Sequence, residues 1–341
     1  MAGAACRRGA KFAAEAEAIT IRLKIGALWM APAAEWIPME SPNDKKKIIE
    51  HYDAVSPYYQ ELWGNHIHHG LWVRGNETKE EAQDLLIEHL AGLARISKGA
   101  RILDIGCGFG GTSLYLCRQF GVAATGITIS PVQVKMANEA AERQRADARF
   151  CLMDAEAMTF AEPFDVLWSM ESISHYQDRE KFFAEAAKLL KPGGMFALTD
   201  WFKRPGLSAT EEKKYIAPID EGMFVRLADM DAYEDWLRAS GLEIVCREDL
   251  TKQCARSWDL ALDIIAAPKF WALAAKLGRD FVKNLRSFRA MRAGFASGAF
   301  VYGLFVARRA DRPAAEQSFI PSGAKVHLPE PAKAGPKGSA S

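Results

Sequence analysis

The sequence predicts an α/β fold, a seven-stranded mixed sheet flanked by helices, and three observations predict it. Short apolar, strand-like runs alternate with helix-like stretches through the middle of the chain. The first run, RILDIG at 101–106, leads into a glycine-rich turn and then into a helical stretch. The last two runs break the alternation, because the long stretch between them is helical and apolar rather than a simple crossover.

Taken in order, the strands are expected at 101–106, 123–129, 148–154, 164–170, 194–201, 242–249 and 300–308. Helices are expected at 112–120, 131–145, 178–190 and 229–239. The helix at 131 has Ser130 before it as a candidate cap. LLKPGG at 189–194 reads as a tight helix-to-strand turn. Two segments lie outside the plain alternation, a helical region at 44–98 and an insert at 251–298. They bracket a core at 99–250, which a last strand at 299–310 completes. The first 43 residues, Ala-rich with a few basic residues, read as a flexible extension or a short docking helix; Glu15 and Glu17 weaken a targeting peptide. The tail, 311–341, is rich in Pro, Gly, Ala and Lys and is expected to be disordered.

The bulk numbers exclude several classes. The 44 Lys and Arg balance 43 acids, which argues against a dedicated nucleic-acid surface. The six cysteines form no C-x-x-C pair, so a zinc ribbon is not expected and the thiols read as reduced. No apolar run is long enough for a membrane span.

The glycine turn fits two ligands. Gly106, Gly108 and Gly111 match the dinucleotide pattern G-x-G-x-x-G, whereas Gly106, Gly108 and Gly110 match the G-x-G-x-G loop associated with S-adenosylmethionine (SAM). Dinucleotide binding calls for an acid about 20 residues on, to take the ribose hydroxyls. Here the second strand ends GITIS with no acid, followed by Gln133. Asp104 precedes the first glycine and Asp154 ends the third strand, where a carboxylate suits an adenine amino group.

LDIGCGFGG, GITISPVQ, MDAE, SMESISH and LLKPGG, in this order and spacing, resemble the class I SAM-dependent methyltransferases, with their Rossmann-like seven-stranded mixed sheet. The closest resemblance is to the tocopherol methyltransferase group, related to the cyclopropane fatty acid synthases. The resemblance implies SAM as cofactor. It places Asp104, Gly106, Cys107, Gly108 and Gly110 around the amino-acid end of SAM. Thr128, Ile129, Ser130 and Gln133 would lie at the ribose, with the Gln133 amide replacing the usual acid. Asp154, Ala155 and Glu156 would lie at the adenine, with Met170 close by.

HYDAVSPYYQELWGNHIHHGLW at 51–72 holds four of the seven histidines and a cluster of aromatics. Its YD, WG and HHG resemble the segment that folds over SAM in tocopherol-type enzymes. That implies a lid and acceptor pocket, with Tyr52 touching SAM or the lid, and with Trp63, His66, His69 and Trp201 at the acceptor. A packed aromatic cluster is the plain alternative. A metal at His66, His68 and His69 is not expected, because no acid or Cys lies nearby at ligand spacing. SMESISHYQD follows the fourth strand, where ligands of α/β sheets bind. Glu171 and His175 should therefore edge the reacting pocket, His175 as a general base or substrate-orienting group.

In the insert, Phe281, Leu285 and Phe288 follow helical spacing, and Arg279, Lys283, Arg286, Arg289 and Arg292 make a basic face. Trp258, Trp271 and Leu273 are among its other apolar residues. It packs on the core, walls the acceptor site, or touches a membrane. The function expected is methyl transfer from SAM to a small, largely apolar acceptor such as a phenol, an amine or a prenylated aromatic. His175, Glu171 and His69 are the catalytic candidates. Methylation of carbon on an alkene, prenyl, sterol or fatty acyl chain is the alternative. A NAD-dependent oxidoreductase and a non-catalytic SAM-fold subunit are the readings from other classes. The protein is expected in the cytoplasm, in an organelle or at a membrane surface, as a monomer or homodimer with a lipophilic small-molecule partner.

Overall fold

The computed structural model describes residues 44–266, Phe270 and 279–310. The expected extension at 1–43, the tail at 311–341, the insert positions Trp271 and Leu273, and the side chains of Arg279, Phe281, Lys283, Leu285 and Arg286 lie outside the described residues.

Helix α1 (Lys45–Trp63) and helix α2 (Lys79–Leu93) precede the sheet. The alternating core follows as β1 (Arg101–Ile105), α3 (Gly111–Phe120), β2 (Ala123–Thr128), α4 (Pro131–Gln144), β3 (Ala148–Leu152), β4 (Phe164–Met170), α5 (Arg179–Lys188) and β5 (Leu190–Lys203). Then come α6 (Ala217–Met223), α7 (Met230–Ala239), β6 (Leu242–Asp249), α8 (Arg256–Ala266), α9 (Arg279–Ser297) and β7 (Phe300–Arg309). The seven strands form one sheet in the order β3-β2-β1-β4-β5-β7-β6. Strands β1 to β5 pair in parallel, and β7 runs antiparallel to both β5 and β6, so the sheet is mixed.

Alternation along each strand supplies both faces of this sheet. Ile102, Val166, Trp168, Ala197 and Leu304 face one core layer; Leu103, Ile105, Leu167, Phe196 and Phe305 face the other. The expected lid segment, 44–98, divides in two. Helix α2 buries Leu86, Ile87 and Leu90 completely in the first layer, as its apolar spacing dictates, and its start is fixed by a Thr78–Glu81 capping box. Helix α1 and the segment that follows it, through His69, lie over the cleft at the strand ends, where their residues line the cavity.

Two elements differ from the expected pattern. LLKPGG is not a turn between elements, because β5 already begins at Leu190, which pairs with Phe164. The register then shifts between Phe164 and Val166, so the Pro-Gly-Gly stretch is absorbed as an irregularity of the strand. Between β5 and α7 the chain forms an unexpected helical passage, Ala209–Glu211, a π-helical turn at Glu212–Ile216, and then α6. Its local signal is a second capping box, Ser208 with Glu211. No helix among the described residues is long and apolar enough to cross a membrane.

Candidate active site

One cavity opens at the C-terminal ends of β1, β2 and β4 and is roofed by α1, α8 and the 64–70 segment. The fold explains why ligands meet here: parallel strands end together, and adjacent loops diverge. The glycine turn forms its floor. Gly110 adopts a left-handed conformation as the cap of α3, and a Cβ there would meet the Phe150 ring at 2.7 Å. At Gly106 a Cβ would stand 2.4 Å from Ser172. At Gly111 it would stand 1.8 Å from the Asn65 carbonyl oxygen. Most of these glycines are therefore demanded by the protein's own packing, and the third glycine of the dinucleotide pattern serves the 64–70 segment. Only Gly108 faces comparatively open space, its nearest neighbour being Ile67 Cδ1 at 3.3 Å.

Beside the turn, Asp104 is buried, and the Ser113 hydroxyl donates to it at 2.6 Å. Burial pushes its carboxyl up to about 7, only partly offset by that hydrogen bond. Cys107 is also buried, and burial pushes its thiol well up, so it is not a nucleophile. Gln133 is fixed at both ends of its amide. The Thr128 hydroxyl donates to its oxygen at 2.7 Å, and its nitrogen donates to Ser56 Oγ of α1 at 3.1 Å. Ser130 caps α4 by accepting from the Gln133 backbone N–H at 3.1 Å, and its hydroxyl donates to Asp53 of α1. Lys45 of α1 pairs with Asp154 at 2.6 Å and with Glu156 at 2.8 Å. Ile129, Ala155 and Met170 complete this side of the cavity wall. Helix α1 thus touches Asp154, Glu156, Ser130 and Gln133, all expected at the ribose and adenine.

The structure engages both ring nitrogens of His175. Its Nδ1–H donates to the Phe224 carbonyl at 3.0 Å, which leaves Nε2 to accept from the Tyr52 hydroxyl, also at 3.0 Å. Burial lowers its pKa to about 4. Burial also raises the Tyr52 hydroxyl well above the usual phenol value. The two form a neutral, closed pair between α1 and the loop after β4, rather than an open proton acceptor.

Glu171 and His69 form the opposite arrangement. Glu171, immediately after β4, is in a left-handed conformation (φ 53°), a strained state for a side-chain-bearing residue. Its carboxylate accepts from the His69 backbone N–H at 2.6 Å, His69 Nδ1–H at 3.0 Å, Trp201 Nε1–H at 2.9 Å and the Tyr302 hydroxyl at 2.7 Å. Burial alone would raise its pKa, but His69 and these hydrogen bonds hold it below the ordinary carboxylate value. With Nδ1 committed as donor to the carboxylate, His69 Nε2 is the acceptor nitrogen of the neutral ring. That atom is buried and has no hydrogen-bond partner among the described residues. The ring sits among Trp201, Trp258, Phe295 and Tyr302, with centroids 4.7–5.9 Å away. A carboxylate orienting an imidazole whose other nitrogen is bare is the geometry of a general base.

Of the other residues expected at the acceptor, Trp63 and His66 line the cavity, with His66 Nε2 3.3 Å from Asp84. The Trp201 indole N–H is spent on Glu171, so Trp201 offers its ring face alone. Among the described residues, no three His, Cys, Asp or Glu side chains converge as a metal site. Sequence reasoning missed Lys45, Asp53 and Ser56 as partners of the cofactor side, and missed Tyr302, which sits mid-strand in an apolar run without any motif. The apolar side of the cavity is walled by Leu62, Ala261, Ile264, Ile265, Phe270 and Phe288, most of them from the insert.

Residues 39–269 match the family described as mycolic acid cyclopropane synthetase. The chain belongs to this family. Among its relatives is the 27-O-demethylrifamycin SV methyltransferase of Amycolatopsis mediterranei, 35% identical over 277 residues, covering 80% of this chain and 98% of that protein. Another is the chloroplastic tocopherol O-methyltransferase of Arabidopsis thaliana, 29% identical over 289 residues, covering 78% and 82%. A mycolic acid cyclopropane synthase crystallised with S-adenosylhomocysteine (SAH) and CTAB superposes with a TM-score of 0.70 at 21% identity, covering 81% of this chain and all of that one. This member of the cyclopropane synthetase family is thus a class I SAM-dependent methyltransferase, as the motifs imply, and not an oxidoreductase. Its residues fit SAM. The buried Asp104 carboxylate has a raised pKa and no cationic partner among the described residues, the Gly108 backbone is open to the cavity, and an oriented amide takes the place of an acid after β2.

Proposed function

We propose that this chain methylates an ionisable O–H or N–H on a small, largely apolar acceptor, with His69 as the general base. The bare, buried Nε2 of His69, held by Glu171 at the wall of an apolar cavity, carries the reading. When bound, SAM supplies an electrophilic methyl on a sulfonium. Asp104 takes the α-ammonium beside the glycine turn. Gln133 offers its second lone pair to the ribose, its orientation set by Thr128 and Ser56. Asp154 and Glu156 serve the adenine end while Lys45 balances their charge.

On the acceptor side, the insert and α1 exclude water, and His69 Nε2 takes the acceptor's proton. Glu171 then stabilises the imidazolium, its carboxyl held below the ordinary value chiefly by the charge and hydrogen bonds of His69. The Tyr52–His175 pair acts as a positioning clasp that seats α1 over the cleft. With methyl-labelled SAM, His69→Ala is expected to lose turnover by about 10²–10⁴-fold while still binding SAM. His175→Ala is expected to raise KM more than it lowers kcat. Wild-type kcat in His69→Ala overturns the assignment of the base. Carbon methylation is the second reading, favoured by the description of the matched family. A product with its label on carbon decides for it.

A further inference from the structure

Among the buried polar atoms without a hydrogen-bond partner among the described residues, two lie on contacting rings that line the acceptor side. One is His69 Nε2, an acceptor in the tautomer that Glu171 fixes. The other is Trp258 Nε1–H of α8, an obligate donor. Both side chains are more than nine-tenths buried, and both line the cavity. Their rings touch at a centroid distance of 5.3 Å in an edge-to-face arrangement. Phe288, 5.3 Å from Trp258 on another side, holds the indole in place. Buried polar groups are almost always satisfied, so a donor and an acceptor left without partners on two contacting rings at an apolar cavity ask for a ligand group that is both.

We propose that Trp258 determines acceptor specificity: its indole N–H donates to the nucleophilic oxygen of a hydroxyl acceptor, while that hydroxyl donates to His69 Nε2. This rests on the reading of His69 as the base, and it narrows the acceptor to oxygen. A hydroxyl oxygen has two lone pairs. One accepts from Trp258 and the other forms the new O–CH3 bond. The S–CH3 bond breaks with its electron pair returning to sulfur, and the hydroxyl proton passes to His69 Nε2. An amine has a single lone pair. If it accepts from Trp258 it cannot attack, and if it attacks it leaves the indole N–H buried and unpaired. Discrimination against a partner that leaves a buried donor unsatisfied is characteristically strong. The same N–H also stabilises charge that develops on an oxygen as its proton leaves.

The test uses the full-length protein and two probes of matched shape, a 4-alkylphenol and the 4-alkylaniline of equal chain length. The amine loses its bond to the indole only when it attacks, so kcat/KM for transfer from methyl-labelled SAM is measured for wild type and Trp258→Phe. The wild type should favour the phenol over the aniline by about tenfold or more. In the variant the ratio should fall to about twofold, chiefly through slower transfer to the phenol. In the unaltered protein with bound SAH, the Trp258 indole N–H resonance should move downfield with phenol. This arm does not depend on the variant's folding. An unchanged ratio in Trp258→Phe, an indole resonance indifferent to phenol, or no phenol binding at saturation would each overturn the proposal. Transfer to the aniline at the phenol's rate in the wild type sinks the oxygen preference alone, whereas wild-type turnover in His69→Ala sinks the underlying assignment of the base.

Discussion

Lys45, in the first turn of α1, stands 2.6 Å from Asp154 just beyond the end of β3. Helix α1 is thereby tied to the edge of the cofactor cleft that lies farthest from the sheet's centre. Lys45, Tyr52, Asp53 and Ser56, spread over about three turns, reach Asp154, His175, Ser130 and Gln133 respectively. Cofactor exchange is therefore expected to require α1 to yield. The Lys45 pair is about one-third exposed, so its contribution is under about 1 kcal/mol. Lys45→Ala is therefore expected to speed SAH release by about two- to fivefold with little change in melting temperature, and raised salt should mimic it in the wild type. Stopped-flow fluorescence would show this; identical release rates would mean that α1 does not gate the site.

Burial raises the Asp104 carboxyl to about 7. Holding an ammonium requires the ionised form, so below that pH the empty site must lose a proton when SAM binds. SAM affinity should rise with pH up to about 7 and level off above it, with proton release at pH 6 and little at pH 8. Calorimetry in two buffers of different ionisation enthalpy reads this directly. For folding the sign is opposite. The folded pKa lies above the unfolded value of about 3.9, so Asp104 increasingly destabilises the empty protein as pH climbs from about 4 to 7. Asp104→Asn should cost SAM binding yet spare stability at pH 8 better than at pH 4.

Glu171 is expected to tolerate conservative change poorly. Glu171→Gln keeps the shape but removes the charge that orients His69 and supports its protonated form. It should lower kcat by about 10²-fold or more while leaving SAM affinity near wild type. A pH–rate profile should lose its acid limb in this variant if His69 is the base, and keep it otherwise.

Two glycines separate packing from ligand contact. Gly111→Ala drives a Cβ into the Asn65 carbonyl and should destabilise the fold by about 1–3 kcal/mol, displacing the segment that carries His66 and His69. Gly108→Ala meets a single flexible methyl group, although it pays for a left-handed backbone (φ 54°). It should cost about 1 kcal/mol in stability and proportionally more in SAM affinity. Thermal melts with and without SAM distinguish the two; equal behaviour would remove Gly108 from the cofactor cradle.

The α/β core was legible because its signals are local. β1 to β4 fall within two residues of their apolar runs, and the absence of an acid after β2 pointed away from a dinucleotide. The site was half legible. Glu171 and His69 could be singled out by motif, but their pairing spans about a hundred residues and no local pattern encodes it. His175 looked like the freer base because sequence cannot show that Phe224, beyond the unexpected π-helical passage, occupies its Nδ1. Tyr302 was invisible for a similar reason: in a strand that reads as core, one hydroxyl turns to Glu171. Trp258 was legible as apolar and silent as a donor.

The connection that carries α8 and α9 leaves the sheet from β6 and returns on β7, its immediate antiparallel neighbour at the margin. Such a loop can be lengthened, shortened or exchanged without re-registering any strand that carries the donor half of the chemistry. Substrate range in this lineage can therefore drift through one detachable cassette while the methyl-delivery apparatus stays fixed, and grafting that cassette between relatives is the natural route to enzymes with new acceptors.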